Sequence, residues 1–222
     1  MGHLDASTER LSFYRLRRQL FLLLALSTTP LSSMAFGSSQ PSELPTEVVR
    51  TTLTAVFQIL EEPNLKDPAK HELRRRKLEA VIAERFDYAE MSKRALAAHW
   101  TSLGMEQRAE FVELFKSFLS DRYAGKIEGY SGEKVMYLSE RVEGQYAEVR
   151  TRLVSSKVDL PMDYRLINKE GRWHAYDIIV DGVSLVKNYR SQFDKIIRSG
   201  SYEELTVRLR NGTVGGDKKE KR

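Results

Sequence analysis

The sequence predicts an α+β fold, in which helices at both ends of the chain flank a four-stranded antiparallel sheet. Before residue 125 and after residue 185, apolar residues recur at helical spacing, whereas between these points they alternate with polar residues at every second position. The connections between the alternating segments are too short for parallel crossovers, which need about a dozen residues or more, so the strands must pair antiparallel. We therefore expect the N- and C-terminal helices to pack on the apolar face of the sheet.

The composition is that of a folded, water-soluble protein. The chain has 222 residues, enough for one domain with a single core, and 41% of them are hydrophobic and 30% charged. Cysteine is absent, which excludes a disulfide framework, a cysteine-ligated zinc site and a thiol nucleophile. Basic runs occur at Arg74–Lys77 and Lys218–Arg222, but neither contains aromatic residues. No nucleic-acid partner is therefore predicted.

The first 35 residues have the pattern of a secretory signal peptide. Four arginines between positions 10 and 18 precede the apolar run Leu20–Leu26, and Ser33 and Ala35 place small residues at the −3 and −1 positions of a cleavage site. The run is too short for a membrane-spanning helix, which needs about 20 apolar residues. We expect cleavage after Ala35 and a flexible leader, rich in Ser and Pro, over residues 36–45.

Two helices are predicted in the segment that follows the leader. The first begins near Thr46, has one apolar face at helical spacing and ends at Pro63. The second begins at Asp67-Pro68, an N-cap followed by proline at the first helical position. The residues expected to point inward from the second helix are Leu73, Leu78, Val81 and Ile82.

Two more helices are predicted before the sheet. Asp87 has the position of an N-cap for the third, and Glu90 stands three residues later, as in a capping box. The fourth carries the most regular apolar stripe in the chain and ends near Gly125. The residues of this stripe are Phe111, Leu114, Phe115, Phe118 and Leu119.

The remaining elements complete one domain over residues 46–211. Turn signals at Gly144 and Gly171 separate alternating segments, and two further helices end at Asn211-Gly212. Residues 212–222 are expected to form a disordered basic tail. The predicted strands lie near residues 134–140, 147–153, 158–166 and 172–180, and the C-terminal helices near residues 186–197 and 201–210.

A search for catalytic chemistry finds little. His71, His99 and His174 stand far apart in sequence and form no metal-ligand spacing, and no phosphate-binding loop or nucleophile elbow is present. Asp177 is the exception, since it lies in an otherwise apolar strand. It could be a catalytic base in a closed cavity. Alternatively, the carboxylate caps the turn at Asp181–Ser184 or accepts backbone N–H bonds at the start of the following helix, and this structural interpretation is favoured because a buried charge requires such partners. We expect no enzyme activity, no metal and no cofactor.

Two stretches of the sequence resemble a known family. The first stretch consists of Phe86-Asp87-Tyr88, Met91, Ala95, Leu96, His99, Trp100, Glu106-Gln107-Arg108, Phe111, Phe115, Leu119 and Tyr123. The second consists of Tyr164-Arg165-Leu166, Gly171-Arg172-Trp173, Ala175-Tyr176-Asp177, Gly182–Val186 and Asn188–Phe193. Together they resemble the MlaC-type family, the periplasmic phospholipid-binding proteins of the outer-membrane lipid asymmetry system, also labelled toluene tolerance proteins. The resemblance runs over about residues 46–209.

The resemblance implies a periplasmic phospholipid carrier that shuttles lipid between the inner and outer membranes as the soluble, substrate-binding component of an ABC-type transport system. It implies a lipid cavity between the sheet and the helices, with phospholipid as cargo. The partners implied are an inner-membrane ABC transporter complex with an MCE-domain ring and an outer-membrane lipoprotein–porin complex.

The residues that could line such a cavity are those of the apolar faces. From sequence, each of them could equally belong to a packed core. The candidates are Trp100, Phe111, Leu114, Phe115, Phe118, Val149, Leu153, Leu160, Met162, Tyr164, Trp173 and Tyr189. Two alternatives stay open: a cone-shaped α+β enzyme or small apolar-ligand module that uses Asp177, and a chaperone for lipoproteins.

Overall fold

Helices open the fold. The computed structural model describes residues 43–215, and predictions for residues 1–42 and 216–222, which include the signal peptide, most of the leader and most of the tail, lie outside them. The first elements are α1 (Pro45–Glu61), two 3-10 turns (Pro63–Leu65 and Pro68–Lys70), α2 (His71–Arg85) and α3 (Tyr88–Leu96). The first predicted helix is confirmed.

The second helix differs from its prediction in one respect. The Asp67 carboxylate accepts a hydrogen bond from the Ala69 N–H at 2.9 Å, as an N-cap does, but the α-helix starts only at His71. Leu78 is buried, whereas Leu73 is 42% exposed, so its predicted inward position is wrong. The two leucines are five residues apart, which places them about 140° apart around the helix axis.

Asp87 caps α3 as predicted, but the capping box is only half formed. Its Oδ1 accepts a hydrogen bond from the Glu90 N–H at 2.8 Å. The Glu90 side chain pairs with Arg94, and the Asp87 N–H donates to the Ala175 carbonyl at 2.8 Å. This last bond ties the junction of α2 and α3 to the sheet. A 3-10 segment (Ala97–Ser102) then leads to α4 (Met105–Glu128), which continues past Gly125.

The sheet is antiparallel and has five strands in the described chain, where four were predicted. The strands are β1 (Lys134–Glu143), β2 (Tyr146–Val154), β3 (Asp159–Lys169), β4 (Arg172–Val180) and β5 (Val183–Ser184), in sequence order across the sheet. The turn at Asp181-Gly182 has positive φ angles of 48° and 76° and folds β5 back onto β4. A two-residue strand is too short to show alternation, so β5 was not predicted.

Two C-terminal helices, α5 (Leu185–Ser199) and α6 (Tyr202–Arg210), complete the fold. The packed chain extends beyond residue 211, where the predicted domain ended. Val214 is 1% exposed, and the neighbouring Thr213 N–H donates to the Arg208 carbonyl at 2.9 Å. A single valine in a polar segment has no periodicity by which it could be recognised.

Buried apolar side chains form three clusters within residues 43–215. The helical cluster joins α3, α4, α5 and α6 around Phe111, Phe115 and Phe193. The sheet cluster joins Val48 and Val49 of α1 to β2, β3 and β4. The third cluster consists of Val56, Leu60 and Leu78, with half-buried neighbours from α1, α2 and α4.

The helices reach both faces of the sheet. Leu166 belongs to the sheet cluster under α1, whereas Ile167, the next residue, belongs to the helical cluster. Successive strand residues point to opposite faces, so the two clusters lie on opposite sides of β3. A bulge in β4 leaves Tyr176 as the extra residue opposite Arg165 and Leu166, and Tyr176 also joins the helical cluster.

Candidate functional site

The sheet face beneath α1 carries four rows of side chains that run across the strands. The strand registers bring these residues side by side, and we call the surface that they form the trough. The hairpin that joins β2 to β3 marks the outer end of the trough, which we call the hairpin end. From there inward, the rows are Val135, Leu153 and Leu160; Tyr137, Thr151, Met162 and Val180; Val149, Tyr164 and Ile178; and Ala147, Leu166 and Ala175.

Burial increases along the trough. All three residues of the outer row are half-buried, whereas Val149 and Leu166 in the inner rows are fully buried. Val48 and Val49 of α1 pack on the inner rows. The trough is therefore covered at its inner end and open at the hairpin end, where apolar side chains keep accessible surface.

Within residues 43–215, five half-buried apolar side chains pack around the sheet cluster. Leu53 of α1, Phe86 after α2, Tyr137, Met162 and Ile178 all pack against the sheet cluster without being fully buried. Of these five, only Met162 was predicted from sequence as a lining residue. The helical spacing of apolar residues placed Leu53 on the apolar face of α1, but no sequence pattern indicated which strand rows α1 would cover.

The predicted lining residues fall into two groups that the structure does not bring into one cluster. Phe86 is the residue that packs against both clusters concerned. In or beside the helical cluster lie Trp100, Phe111, Leu114, Phe115, Phe118 and Tyr189. On the trough face lie Val149, Leu153, Leu160, Met162, Tyr164 and Trp173, the last at the inner end.

The helical group is packed as a core is. Phe111 and Phe115 are 0% exposed, and the ring of Phe115 makes edge contacts with Tyr189 and Phe193 at centroid distances of 5.4 and 5.2 Å. Burial raises the pKa of the Tyr189 hydroxyl far above its usual value. Interlocking aromatic rings of this kind fill space. The trough group is the better candidate for a binding surface.

Two hydroxyl groups are buried in the trough, those of Tyr164 and Thr151. The Tyr164 side chain is 6% exposed, and its hydroxyl donates to the thioether sulfur of Met162 at 3.0 Å. Burial raises the pKa of Tyr164 far above its usual value, so the hydroxyl remains protonated and can donate. The neighbouring Thr151 hydroxyl is satisfied, since it donates to the Met162 carbonyl at 2.5 Å.

Asp177 accepts the hydrogen bonds that were predicted for a buried carboxylate at the start of a helix. The carboxylate is 2% exposed and accepts hydrogen bonds from the Ser184 hydroxyl at 2.6 Å, the Val186 N–H at 3.0 Å and the Arg165 guanidinium at 3.4 Å. The prediction that it binds backbone N–H at the start of the following helix is confirmed. These contacts lie on the sheet face opposite Tyr164, because Arg165 is the next residue in β3. Asp177 is thus a link between β4 and α5.

Ion pairs connect α2 to α4. Arg75 pairs with Asp121 at 2.6 Å, and Glu128 pairs with His71 at 3.0 Å and with Arg74 at 3.6 Å. A cavity of about 30 Å³ lies beside these pairs, room for about one water molecule. Leu78 is the one fully buried residue that α2 contributes. Arg74 and Arg75 of the basic run are thus paired with acidic residues of α4.

Neither a metal centre nor a membrane span is found in the part of the chain that the structure describes. Residues 43–215 contain no group of three or more His, Asp or Glu side chains placed to hold a metal ion. None of their helices is both long and apolar enough to cross a membrane.

The family model of the MlaC protein matches residues 50–211, which is most of the described chain. The chain belongs to the MlaC family. The MlaC-type resemblance seen in the sequence is thereby confirmed, over nearly the same residues.

Curated MlaC relatives are distant in sequence. The intermembrane phospholipid transport system binding protein MlaC of Haemophilus influenzae is 24% identical over 122 residues, which make up 52% of this chain and 57% of that protein. The chain thus aligns with little more than half the length of the Haemophilus protein. The toluene tolerance protein ttg2D of Pseudomonas putida is 25% identical over 196 residues, or 86% of this chain and 87% of that protein.

A solved structure shares the MlaC-family fold. The phospholipid-binding protein from Ralstonia solanacearum, solved in complex with a phospholipid, superposes with a TM-score of 0.69 at 24% identity. The match covers 77% of this chain and 97% of that one. At this identity the likeness shows the fold, which agrees with the predicted α+β class.

Proposed function

We propose that this chain is a non-enzymatic, periplasmic carrier of phospholipid that holds acyl chains in the trough. The observation that carries the proposal is the half-buried apolar surface between α1 and the sheet, open at the Val135, Leu153 and Leu160 row, in a chain of the MlaC family. The names of the Haemophilus and Ralstonia relatives, which refer to phospholipid, support it.

Physical chemistry explains why such a surface suits a carrier. Each methylene moved from water into an apolar site contributes about 0.8 kcal/mol, so a chain of about 16 carbons contributes roughly 12 kcal/mol before ordering costs. Free lipid is therefore very rare in water. A bilayer stabilises each methylene to a similar extent, so a trough of aliphatic side chains can accept and release lipid reversibly.

We propose that the carrier works as the soluble component of an ABC-type lipid transport system between the inner and outer membranes. Its partners would be an inner-membrane transporter complex with an MCE-domain ring and an outer-membrane lipoprotein–porin complex. The signal-peptide pattern of residues 1–35 supports export to the periplasm, where both partners would be reached.

The satisfied contacts of Asp177 weigh against the enzyme alternative. A general base needs a free lone pair within reach of substrate, whereas three donors already bind this carboxylate on the face away from the trough. The lipoprotein chaperone remains an alternative, because an acylated peptide would use the same apolar surface.

The experiment is native mass spectrometry of residues 36–222, purified from bacterial periplasm without detergent, followed by extraction of the bound molecule. We expect phospholipid in near-stoichiometric amount. Acylated peptide would favour the chaperone, and a lipid-free protein that takes up no lipid from vesicles would refute the carrier.

A matched pair of variants tests the location. Leu160→Asp places a charge in the open row of the trough and is expected to abolish lipid uptake. Leu138→Asp places the same charge at an exposed residue of β1, 53% accessible, and is expected to leave uptake unchanged. Equal uptake by the two variants would place the lipid elsewhere.

A further inference from the structure

The Tyr164 hydroxyl is poorly satisfied for so deeply buried a group. It donates to a thioether sulfur, a weak acceptor, and it makes no other hydrogen bond to residues 43–215. A buried tyrosine hydroxyl normally finds an oxygen partner, because leaving the donor without one costs free energy. The aromatic ring alone would fill the same space, so the hydroxyl requires an explanation of its own.

The surroundings of this hydroxyl point to a ligand rather than to the protein. Its neighbours across the sheet in the same row are Val149 and Ile178, both apolar. The other buried hydroxyl of the trough, that of Thr151, already donates to a backbone carbonyl. Within the described chain, the Tyr164 hydroxyl is therefore the buried donor of the trough that has no oxygen acceptor. The Met162 side chain that it contacts is half-buried, so the bond lies next to the accessible part of the trough.

The chemistry of the site restricts the ligand atom. A protonated phenol between the apolar side chains of Val149 and Ile178 matches a neutral acceptor. The cation of the adjacent row, Arg50 on the Tyr137 ring at 4.0 Å, already pairs with Glu47. The neutral acceptors of a phospholipid are the two ester carbonyls that join its acyl chains to glycerol. An ether-linked lipid has the same hydrocarbon chains but lacks these carbonyls.

We propose that Tyr164 donates a hydrogen bond to an ester carbonyl of the bound lipid and so selects ester-linked over ether-linked chains. This inference rests on the proposed carrier function and deepens it. Binding replaces the weak bond to sulfur with one to oxygen, which sets the depth at which the glycerol end of the lipid stops.

The test is a competition between two lipids. Lipid-free protein is incubated with vesicles that contain equal amounts of a diacyl phospholipid and its dialkyl ether analogue, with the same headgroup and chain length, and the bound lipids are counted by mass spectrometry. Wild type is expected to take up the ester lipid in about three- to tenfold preference, the range that one neutral hydrogen bond provides. Tyr164→Phe is expected to bring the ratio close to one.

Tyr146→Phe is the matched control. Tyr146 lies in β2 opposite Ile167, on the sheet face away from the trough, and its ring contacts Tyr176, so the preference is expected to survive. Infrared spectra of lipid labelled with ¹³C at the ester carbonyl give a second readout. The bound carbonyl band should shift to lower frequency in wild type and lose that shift in Tyr164→Phe.

Two results would overturn the inference: no ester preference in wild type that binds both lipids, or the same preference in Tyr164→Phe. If wild type takes up neither lipid, the carrier function itself fails. A melting curve for each variant ensures that only folded protein is compared.

Discussion

The backbone N–H of Val186 donates to the Asp177 carboxylate at 3.0 Å and fastens the first turn of α5 to β4. The Ser184 hydroxyl donates to the other carboxylate oxygen and also caps α5, by accepting from the Lys187 N–H at 3.0 Å. A strand, a turn and a helix thus meet at one buried charge. The Asp177 carboxylate is the common acceptor for donors of the turn and of α5.

Asp177→Ala should destabilise the fold and leave lipid binding by the folded protein intact. Removing the acceptor leaves the Ser184 and Val186 donors unsatisfied, at a cost of about 1–3 kcal/mol in the free energy of unfolding. Asp163→Ala, a half-buried carboxylate in β3 on the same sheet face, should change stability by no more than about 0.5 kcal/mol. Urea denaturation measures both, and equal effects would contradict the role given to Asp177.

Ala97 has a backbone conformation that favours glycine. Its φ of 50° and ψ of −119° follow the end of α3, and a side chain in this region strains the chain. Ala97→Gly is therefore expected to raise the free energy of unfolding by about 1 kcal/mol. Glycine removes the strain from the folded state, and this gain exceeds the stabilisation that its extra conformational entropy gives to the unfolded state.

The adjacent Ala98→Gly provides the comparison. Ala98 is also exposed but has a negative φ, so glycine should lower stability by roughly 0.5–1 kcal/mol. Opposite signs in thermal melts are expected. A loss of stability in both variants would show that Ala97 is not strained.

Two leucines of α2 should respond very differently to truncation. Leu78 is 5% exposed in the third cluster, and Leu78→Ala should cost about 2–5 kcal/mol through lost burial and a new cavity. Leu73 is 42% exposed, and Leu73→Ala should cost less than about 1 kcal/mol. Chemical denaturation of both variants checks the orientation of α2, and similar losses would mean that both leucines face inward.

Acid should weaken the link between the 3-10 segment and α5. The hydrogen bonds from His99 and from Arg198, each at 2.9 Å, hold the pKa of Asp194 below its ordinary value of 3.8. Because the folded-state pKa is depressed, this stabilisation is complete well above pH 3.8 and is lost as pH falls below it.

The urea midpoint of wild type should therefore fall more steeply below pH 4 than that of Asp194→Asn, whose side chain does not titrate. Asp159→Asn removes a carboxylate that has no such histidine partner and should keep the wild-type slope. An Asp194→Asn curve parallel to wild type would show that the His99 contact does not contribute.

Much of the fold could be predicted from local patterns. The caps at Asp67 and Asp87 and the glycine turns at Gly144 and Gly171 are short-range features that the structure reproduces. The change from helical to strand periodicity was predicted after Gly125, and the helix in fact continues to Glu128. The inward position of Leu73 was wrong because Leu73 and Leu78 lie about 140° apart around one continuous helix, so the face that buries Leu78 leaves Leu73 exposed.

The candidate site was only partly predictable. Leu160 and Met162 were among the predicted lining residues, but so were Phe111 and Phe115, which the structure packs into the helical cluster. An apolar stripe indicates that one face of a helix or strand is shielded from water. It does not indicate whether other parts of the protein or a ligand will cover that face.

The sequence by itself determined the α+β class, the antiparallel pairing and the family, because these depend on periodicity, connection length and short motifs. Only the tertiary structure decided which rows of the sheet α1 covers, that Tyr164 is left with a thioether as its partner, and that Asp177 faces away from the trough. These features depend on the register between strands that are far apart in the chain and on how much of the sheet each helix covers. The pattern of residues along a single strand contains no information on either.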